Sequence, residues 1–319
     1  MQSPCFVLGD IHGNLRDLRR YERSLWPRAP VCVTGQYLFL GDYVDRGEYG
    51  VECVLYLFAL KVVAPDRFSL LRGNHEVAAI QRQYTFSREC ETKFGQFGRP
   101  IWKAINRCFD SMPLAAVVDD RIFCAHGGIP RTIQDLEELN RSIPTPLENP
   151  EHQSPASWEI LWNDPITDAE LIGMIDMERL NPSILSTTLN VTTRDFPQTT
   201  NQNGTTQELP LAPATPVPII NDGFIGNVKR GTAYFYSDQA VYHFLRLNRL
   251  THIIRAHEVV PHGYAFHCDA KVITIFSSSR YCGLNNQAAC VLVDRDKLRI
   301  MRLDTSNDSV TSSRSDFSL

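Results

Sequence analysis

Residues 70–76 read LLRGNHE. An apolar run ends in an arginine, a glycine, an amide, an imidazole and a carboxylate, with no helical or strand alternation left to account for them. Alone, Gly73-Asn74-His75 would be an ordinary turn. The chain repeats the arrangement, however. Asp10 and His12 follow CFVLG; Asp42, Asp45 and Arg46 follow YLFLG; His126 follows IFCA; and His257 follows IIRA. Each apolar run has strand length, and Gly9, Gly41, Gly73 and Gly127 mark tight turns where four of the five end.

Helical patterns lie between these runs. Asn14 can cap LRDLRRYERSL, in which Leu15, Leu18, Tyr21 and Leu25 keep helix-like spacing. VECVLYLFALKVV stops before Pro65, and IWKAINRCF precedes the fourth run. Strand and helix alternate early, and strand-rich sequence follows, which predicts an α/β or mixed architecture. Ligands in such sheets gather beyond the carboxyl ends of strands, so side chains far apart in sequence are expected to converge there.

Composition narrows the class. A chain of 319 residues with 43% hydrophobic content can bury one large core or two modest ones. The net charge of −4 and the lack of a long basic stretch argue against a sequence-independent grip on nucleic acid. MQSPCFVLGD has no charged leader or apolar segment of signal-peptide length, and no run approaches the ~20 apolar residues of a membrane span. Nine cysteines without a C-x-x-C pair, most of them in apolar runs (Cys5, Cys32, Cys53, Cys124, Cys290), read as buried reduced thiols of a cytoplasmic or nuclear protein. The sequons at Asn190, Asn203 and Asn307 are then incidental.

Residues 165–229 differ from the rest. DAELIGMIDMERL has a helical pattern, but residues 190–218 hold seven Thr and five Pro among Asn and Gln. Such sequence cannot bury enough apolar surface to order itself. The expectation is one catalytic domain over 1–304, interrupted by a mobile insertion at 165–229 and followed by a Ser-rich disordered tail at 305–319.

The strand-end inventory is imidazoles, carboxylates and one amide, without cysteine. That set suits Fe, Zn or Mn better than a thiolate-rich structural zinc site. One aspartate can bridge two cations about 3.5–4 Å apart, as in two-metal hydrolytic sites. Asp42, beside Gly41, is best placed to do so. Guanidinium forks match phosphate oxygens two at a time, and an imidazole can protonate a leaving oxygen.

In order, GDIHGN (9–14), GDYVDRG (41–47), RGNHE (72–76), HGG (126–128), LWNDP (161–165), RGTAYF (230–235), RAHEVVPHGY (255–264) and SSSRYCG (277–283) resemble the phosphoprotein phosphatase family of metal-dependent serine/threonine phosphatases, within the calcineurin-like metallophosphoesterases. The resemblance covers roughly residues 5–304 apart from the insertion. It implies a central β-sandwich of mixed sheets flanked by helices, with two metal ions at the strand ends, manganese in vitro and iron or zinc in the cell. Carried over by position, Asp10, His12 and Asp42 hold one ion, and Asp42, Asn74, His126 and His257 the other. Asn74 also touches phosphate, His75 is the proton donor, and Asp45 orients it. Arg46 and Arg230 clamp the phosphoryl oxygens, Tyr281 contacts substrate, and Glu76 braces its turn. The implied reaction is direct attack on a phosphoserine or phosphothreonine monoester by a hydroxide bridging the two ions. Phosphoproteins and a regulatory subunit are the implied partners.

Departures from the family pattern are Arg280 before Tyr281-Cys282, where asparagine is usual, and Pro261-His262, where acidic residues are common. Both predict tolerance of acidic sequence around the phosphosite. The connection from LWNDP to Arg230 is also much longer than usual. A dinucleoside polyphosphate hydrolase shares the first motifs but not RAHE or RYCG. A non-catalytic pseudophosphatase should lack a ligand or the acid, and none is missing. A cysteine-dependent phosphatase needs an arginine six positions after its nucleophile; Cys124, with Arg131 seven on, comes nearest.

Overall fold

In a computed structural model the described residues are 1–27, 29–167, 170 and 222–305. Two five-stranded mixed sheets stack face to face. The first contains β1 (Cys5–Leu8), β2 (Gln36–Phe39), β3 (Phe68–Leu70), β12 (Ala289–Asp294) and β13 (Lys297–Arg302), in the order β13-β12-β1-β2-β3. The second contains β4 (Ala115–Val118), β5 (Ile122–Ala125), β9 (His252–Arg255), β10 (Tyr264–His267) and β11 (Val272–Ile275), in the order β10-β11-β9-β5-β4. β1, β2 and β3 are mutually parallel, as are β5, β9 and β11.

Side-chain alternation explains the layering. In β1, β2 and the residue after β2, Cys5, Val7, Leu38 and Leu40 point one way and join Ile122, Cys124, Ile254, Ile273 and Ile275 of the second sheet in a core between the sheets. Leu8, Tyr37 and Phe39 point the other way, against the helices Leu15–Leu25 and Gly50–Val63. Phe123, Ala125, Ile253 and Val272 pack outward in the second sheet, against the helices Pro155–Trp162 and Asp238–Leu247. With both faces covered, these strands are continuous apolar runs and not a polar alternation.

The helix Leu15–Leu25 starts as its sequence indicates, the Asn14 side chain accepting from Asp17 N–H at 3.1 Å. Beyond the parallel strands, residues following β1 and β11 meet in a bridge between Asp10 and Phe276. That bridge brings the carboxyl ends of the two sheets to a common edge.

A small third sheet corrects the expected boundaries of the insertion. β6 (Asp164–Pro165) pairs with β8 (Tyr234–Tyr236), which pairs with β7 (Phe224–Gly226). Phe224 is fully buried, so residues 224–226 belong to the packed domain and not to an insertion beginning at 165 and ending at 229. A three-residue strand is too short to show periodicity, and the Thr/Pro composition lies N-terminal to it. The helical pattern in DAELIGMIDMERL (apart from residue 170), the Thr/Pro-rich stretch, the three sequons and all but the first residue of the tail lie outside the described residues. The nine cysteines are free; Cys32, Cys108 and Cys282 are exposed, so Cys32 is not the buried thiol its apolar neighbours suggested. It lies in a short 3₁₀ turn, Pro30–Cys32, that leaves it outside the core. No helix among the described residues is long and apolar enough to cross a membrane.

Candidate metal centre and phosphate site

The strand-end loops converge, and backbone geometry shows how tightly. Gly41 has φ +110°, and a β-carbon there would lie 2.3 Å from the Gly73 nitrogen. The loops after β2 and β3 therefore touch backbone to backbone, as only glycine permits. His12, Asp42, Asp45, Arg46 and His257 all adopt left-handed backbone, at φ +46° to +70°. Such conformations cost energy in non-glycine residues and recur where a site dictates side-chain direction.

Two imidazoles are locked in orientation. His12 Nδ1 donates to the Val44 carbonyl at 2.9 Å and His126 Nδ1 to the Leu40 carbonyl at 3.1 Å. Because a carbonyl only accepts, each ring in its neutral form keeps its lone pair on Nε2, and both point inward. His12 Nε2 lies 3.6 Å from Asp10 Oδ2 and 3.4 Å from Asp42 Oδ2. His126 Nε2 lies 3.3 Å from Asp42 Oδ1, 2.8 Å from Asn74 Oδ1 and 3.1 Å from His257 Nδ1. Asp10 Oδ1 is occupied by the His257 N–H at 3.0 Å, which leaves Oδ2 toward His12.

Lone pairs thus face lone pairs. A proton on His257 Nδ1 would satisfy one of these contacts. Turning the Asn74 amide would aim Nδ2 at both Asp42 oxygens (3.2 Å), His126 Nε2 (2.8 Å) and His257 Nδ1 (3.1 Å), but two amide hydrogens cannot serve four acceptors. With Nδ1 turned inward, His257 Nε2 is buried without a hydrogen-bond partner. Cations relieve the conflict, and the donor types suit them. Two sets of side chains could each hold an ion, with ligand atoms within 4.8 Å of one another: His12, Asp42 and His75, and Asp42, His126 and His257. Asp42 is common to both.

Electrostatics follow from burial and mutual contact. Burial pushes the Asp42 carboxyl up, but His126, His75 and His12 outweigh it and hold the group well below the usual carboxylate range. Burial, then the charge of Asp42, lift Asp10 to about 6. Burial lowers His12 to about 4 and, with the Arg230 and His126 charges, drives His257 well below the usual imidazole value. His12 and His257 therefore offer lone pairs at neutral pH. Burial opposes a charged His126, yet Asp42 pulls its proton affinity up; a cation between them would take that proton's place.

The first of the two ion sets has His75 where the family resemblance put Asp10, whose Oδ2 nevertheless lies 3.6 Å from His12 Nε2. His75 differs from the other members in having its second ring nitrogen tied to a carboxylate outside the cluster. Its Nδ1 bonds Asp45 Oδ2 at 2.7 Å, and its backbone N–H donates to Asp42 Oδ1 at 2.9 Å. Asp45 Oδ1 accepts from Thr85 N–H (2.9 Å) and Phe86 N–H (2.6 Å) where the helix Phe86–Phe94 begins, so the carboxylate is fixed by a helix start. Burial disfavours the charged ring, but Asp42 and the Asp45 hydrogen bond and charge raise the His75 pKa above the ordinary value.

Arg46 is exposed, with its guanidinium 4.2 Å from the centroid of the Tyr84 ring; that ring lies 4.7 Å from His75. Arg230 is held on the other side, its Nε on Asp164 Oδ2 at 2.8 Å and its Nη2 on the His257 carbonyl at 2.9 Å. Asp164 is shared with the fully buried Arg255, whose Nη2 lies 2.6 Å from Oδ1, and with Asn227 Nδ2 at 2.9 Å. The Tyr281 ring stands 5.0 Å from the ring of His12.

Sequence reasoning assigned no role to Asp164, Arg255, Asn227 or Tyr84. Asp164 and Arg255 sit inside LWNDP and RAHE, where charges within apolar context could have signalled pairing. Tyr84 and Asn227 gave no signal.

Glu76 does more than brace its own turn. It accepts from Asp42 N–H (2.6 Å), Tyr43 N–H (2.9 Å) and Gly73 N–H (2.9 Å), joining the two loops that carry Asp42 and Asn74. A glutamine amide nitrogen cannot accept. Glu76→Gln should therefore cost about 1–3 kcal/mol of stability and weaken metal binding about 10–100-fold. Denaturant melts and metal titrations check this, and unchanged values in both would disprove it.

A family model described as calcineurin-like phosphoesterase matches residues 4–261. The chain belongs to the calcineurin-like phosphoesterase family. Among solved relatives of this family fold, a protein serine/threonine phosphatase from Saccharomyces cerevisiae, described as similar to human phosphatase PP5, is 25% identical over 95% of this chain and 81% of its own, with TM-score 0.67. A cold-active protein tyrosine phosphatase is 16% identical over 94% of this chain and 78% of its own, with TM-score 0.53, a likeness of fold alone. As a calcineurin-like phosphoesterase the chain is a metal-dependent phosphoric ester hydrolase, with His and Asp groups at the sheet ends able to bind metal. Cys124 is unsuited to act as a nucleophile, since burial raises its thiol well above its ordinary value.

Proposed function

We propose that this calcineurin-like phosphoesterase is a serine/threonine protein phosphatase that hydrolyses phosphoserine and phosphothreonine monoesters. The observation that carries the reading is the Asp45–His75 pair at 2.7 Å beside the converged ligand groups, with an arginine on either side. The 25% identity to the yeast serine/threonine phosphatase over nearly the whole chain supports it.

Asp10, His12 and Asp42 would hold one ion, and Asp42, Asn74, His126 and His257 the other; manganese, iron and zinc all suit the set. Two cations bound there would supply Lewis acidity and make a bound water more acidic. The protein's own groups do the rest. Arg230, fixed by Asp164, and Arg46, steadied by Tyr84, bind and orient the phosphoryl oxygens with Asn74. His75 gives its Nε2 proton to the departing serine or threonine oxygen, while Asp45 on Nδ1 keeps the ring aimed and stabilises its charged form. Tyr281 forms part of the wall against which substrate rests.

We place the protein in the cytoplasm or nucleus, with phosphoproteins as substrates, a regulatory subunit as partner, and neither nucleic acid nor membrane as ligand. A dinucleoside polyphosphate hydrolase is the other reading within the family. The test is purified protein with Mn²⁺ on phosphoserine peptides and on dinucleoside tetraphosphate. Peptide turnover dominates if the proposal holds. Efficient tetraphosphate cleavage with inert peptides would replace it, and inactivity on both would favour a pseudophosphatase.

A further inference from the structure

The helix Gly50–Val63, GVECVLYLFALKVV, is charged only at Glu52 in its first turn and Lys61 in its last. One side packs on the first sheet through buried Val54, Leu57 and Leu60. The outward side is apolar as well. Leu55, Ala59, Val62 and Val63 recur at i, i+4, i+7 and i+8, so they share a face. All four are exposed, Leu55 by 51%, Val62 by 80% and Val63 by 56%. A surface helix ordinarily turns polar residues to water, and a helix that is apolar all round is one covered on every side.

The apolar surface continues past the helix. The 3₁₀ turn Pro30–Cys32 packs beside it, with Val31 61% exposed and Cys32 also exposed. Arg67 Nη1 donates to the Thr34 carbonyl at 3.3 Å, which ties the segment after that turn to the chain just beyond the helix. The turn therefore lies at the Val62–Val63 end. Contiguous apolar patches are uncommon on monomeric proteins and mark interaction sites.

We propose that a second copy of the chain docks on this face, the two Gly50–Val63 helices packing antiparallel about a twofold axis. An isologous contact requires a patch that is complementary to itself. This one is apolar along its length, acidic at its start and basic at its end. Antiparallel packing brings Glu52 toward the partner's Lys61 and sets the helix dipoles against each other, whereas parallel packing would bring like charges together. Leu55 then meets the partner's Val62, and the small side chain of Ala59 lets the axes approach near their crossing. Glu52 already holds Lys93 Nζ at 2.5 Å, so the charges set orientation and the apolar face supplies the affinity. The proposal is independent of which phosphoric ester is hydrolysed.

A contact made by one helix face and one short turn belongs among small interfaces, so the dimer should be reversible, with a dissociation constant on the order of 10 µM. Sedimentation equilibrium of the full chain over about 1–100 µM should show monomer passing to dimer. V62E and L55K each place a charge against the partner's apolar side chains and should weaken the dimer more than about tenfold. Because both positions are exposed, the melting temperature of the dilute protein should not change. Orientation is read by cross-linking L55C with V62C, in chains whose exposed Cys32, Cys108 and Cys282 are replaced by serine. The mixed disulfide should form faster than either symmetric one. A wild type monomeric throughout the range would overturn the proposal and leave the face to a different protein. A dimer untouched by both V62E and L55K would overturn it by placing the interface elsewhere. Preferred symmetric cross-links would overturn the antiparallel arrangement.

Discussion

His75→Asn should lower turnover of phosphoserine peptides by about 10²–10⁴-fold without loss of bound metal. The substitution removes the proton at Nε2 and the 2.7 Å contact from Nδ1 to Asp45, while the backbone N–H of residue 75 can still hold Asp42 Oδ1. The ligand cluster should therefore survive, and the defect should depend on the leaving group. A serine alkoxide needs the proton as the ester bond breaks; a nitrophenolate leaves without it. The loss on p-nitrophenyl phosphate should accordingly be much smaller than on peptide. Equal losses on both substrates would mean that His75 acts through the metal centre or the fold and not as an acid. Asp45→Asn should give a weaker version of the same pattern, because the ring loses its aim and its counter-charge but keeps its proton.

Asp42→Asn should abolish measurable activity and metal loading together. Asp42 is the carboxylate shared by both potential ion sets, and an amide in its place supplies neither the charge nor a second anionic oxygen. Chelation of the wild-type protein should have the same effect reversibly, with Mn²⁺ restoring activity. A readout independent of catalysis is available. The Trp162 ring lies 5.4 Å from that of His257, and Trp158 lies 5.2 Å from Trp162. Titration with Mn²⁺, a paramagnetic quencher, should therefore dim tryptophan emission in wild type and much less in Asp42→Asn. An ion that binds only the folded state also raises stability, by about 2.7 kcal/mol at one hundred times its dissociation constant. The chelated protein should then melt several degrees lower. Retained metal and activity in Asp42→Asn would refute the shared-ligand arrangement.

Much of the site was legible because its parts stand where apolar runs stop. Asp10, Asp42, Asn74, His126 and His257 each follow a strand or its last apolar residues, and parallel strands deliver their carboxyl ends to one edge. What period-two reasoning could not supply was the pairing of charges inside the protein. Asp164 and Arg255 lie 2.6 Å apart although ninety-one positions separate them, and no local pattern records such a partnership. Tyr84 was illegible for a related reason. Its importance lies in touching both Arg46 and His75, which belong to two other loops. The packed strand Phe224–Gly226 left no trace in the sequence because it is too brief to show alternation, and its burial depends on pairing with β8 and on the core that Phe224 joins with residues such as Ile160 and Phe244. Composition marked the Thr/Pro-rich stretch but not where the packed domain resumes.

The order of strands in the first sheet has a consequence for incomplete chains. All the residues assigned to the ions are synthesised by position 257, yet β1, which leads into Asp10, lies between β2 and the much later β12. Gly9 N–H is likewise tied to Ser277 Oγ at 2.8 Å. A product terminated just after His257 would possess every donor atom and still lack the scaffold that aims the first of them. A stop codon upstream of Ala289 should therefore behave as a null allele, and a nascent chain should stay inert until its final hairpin has left the ribosome.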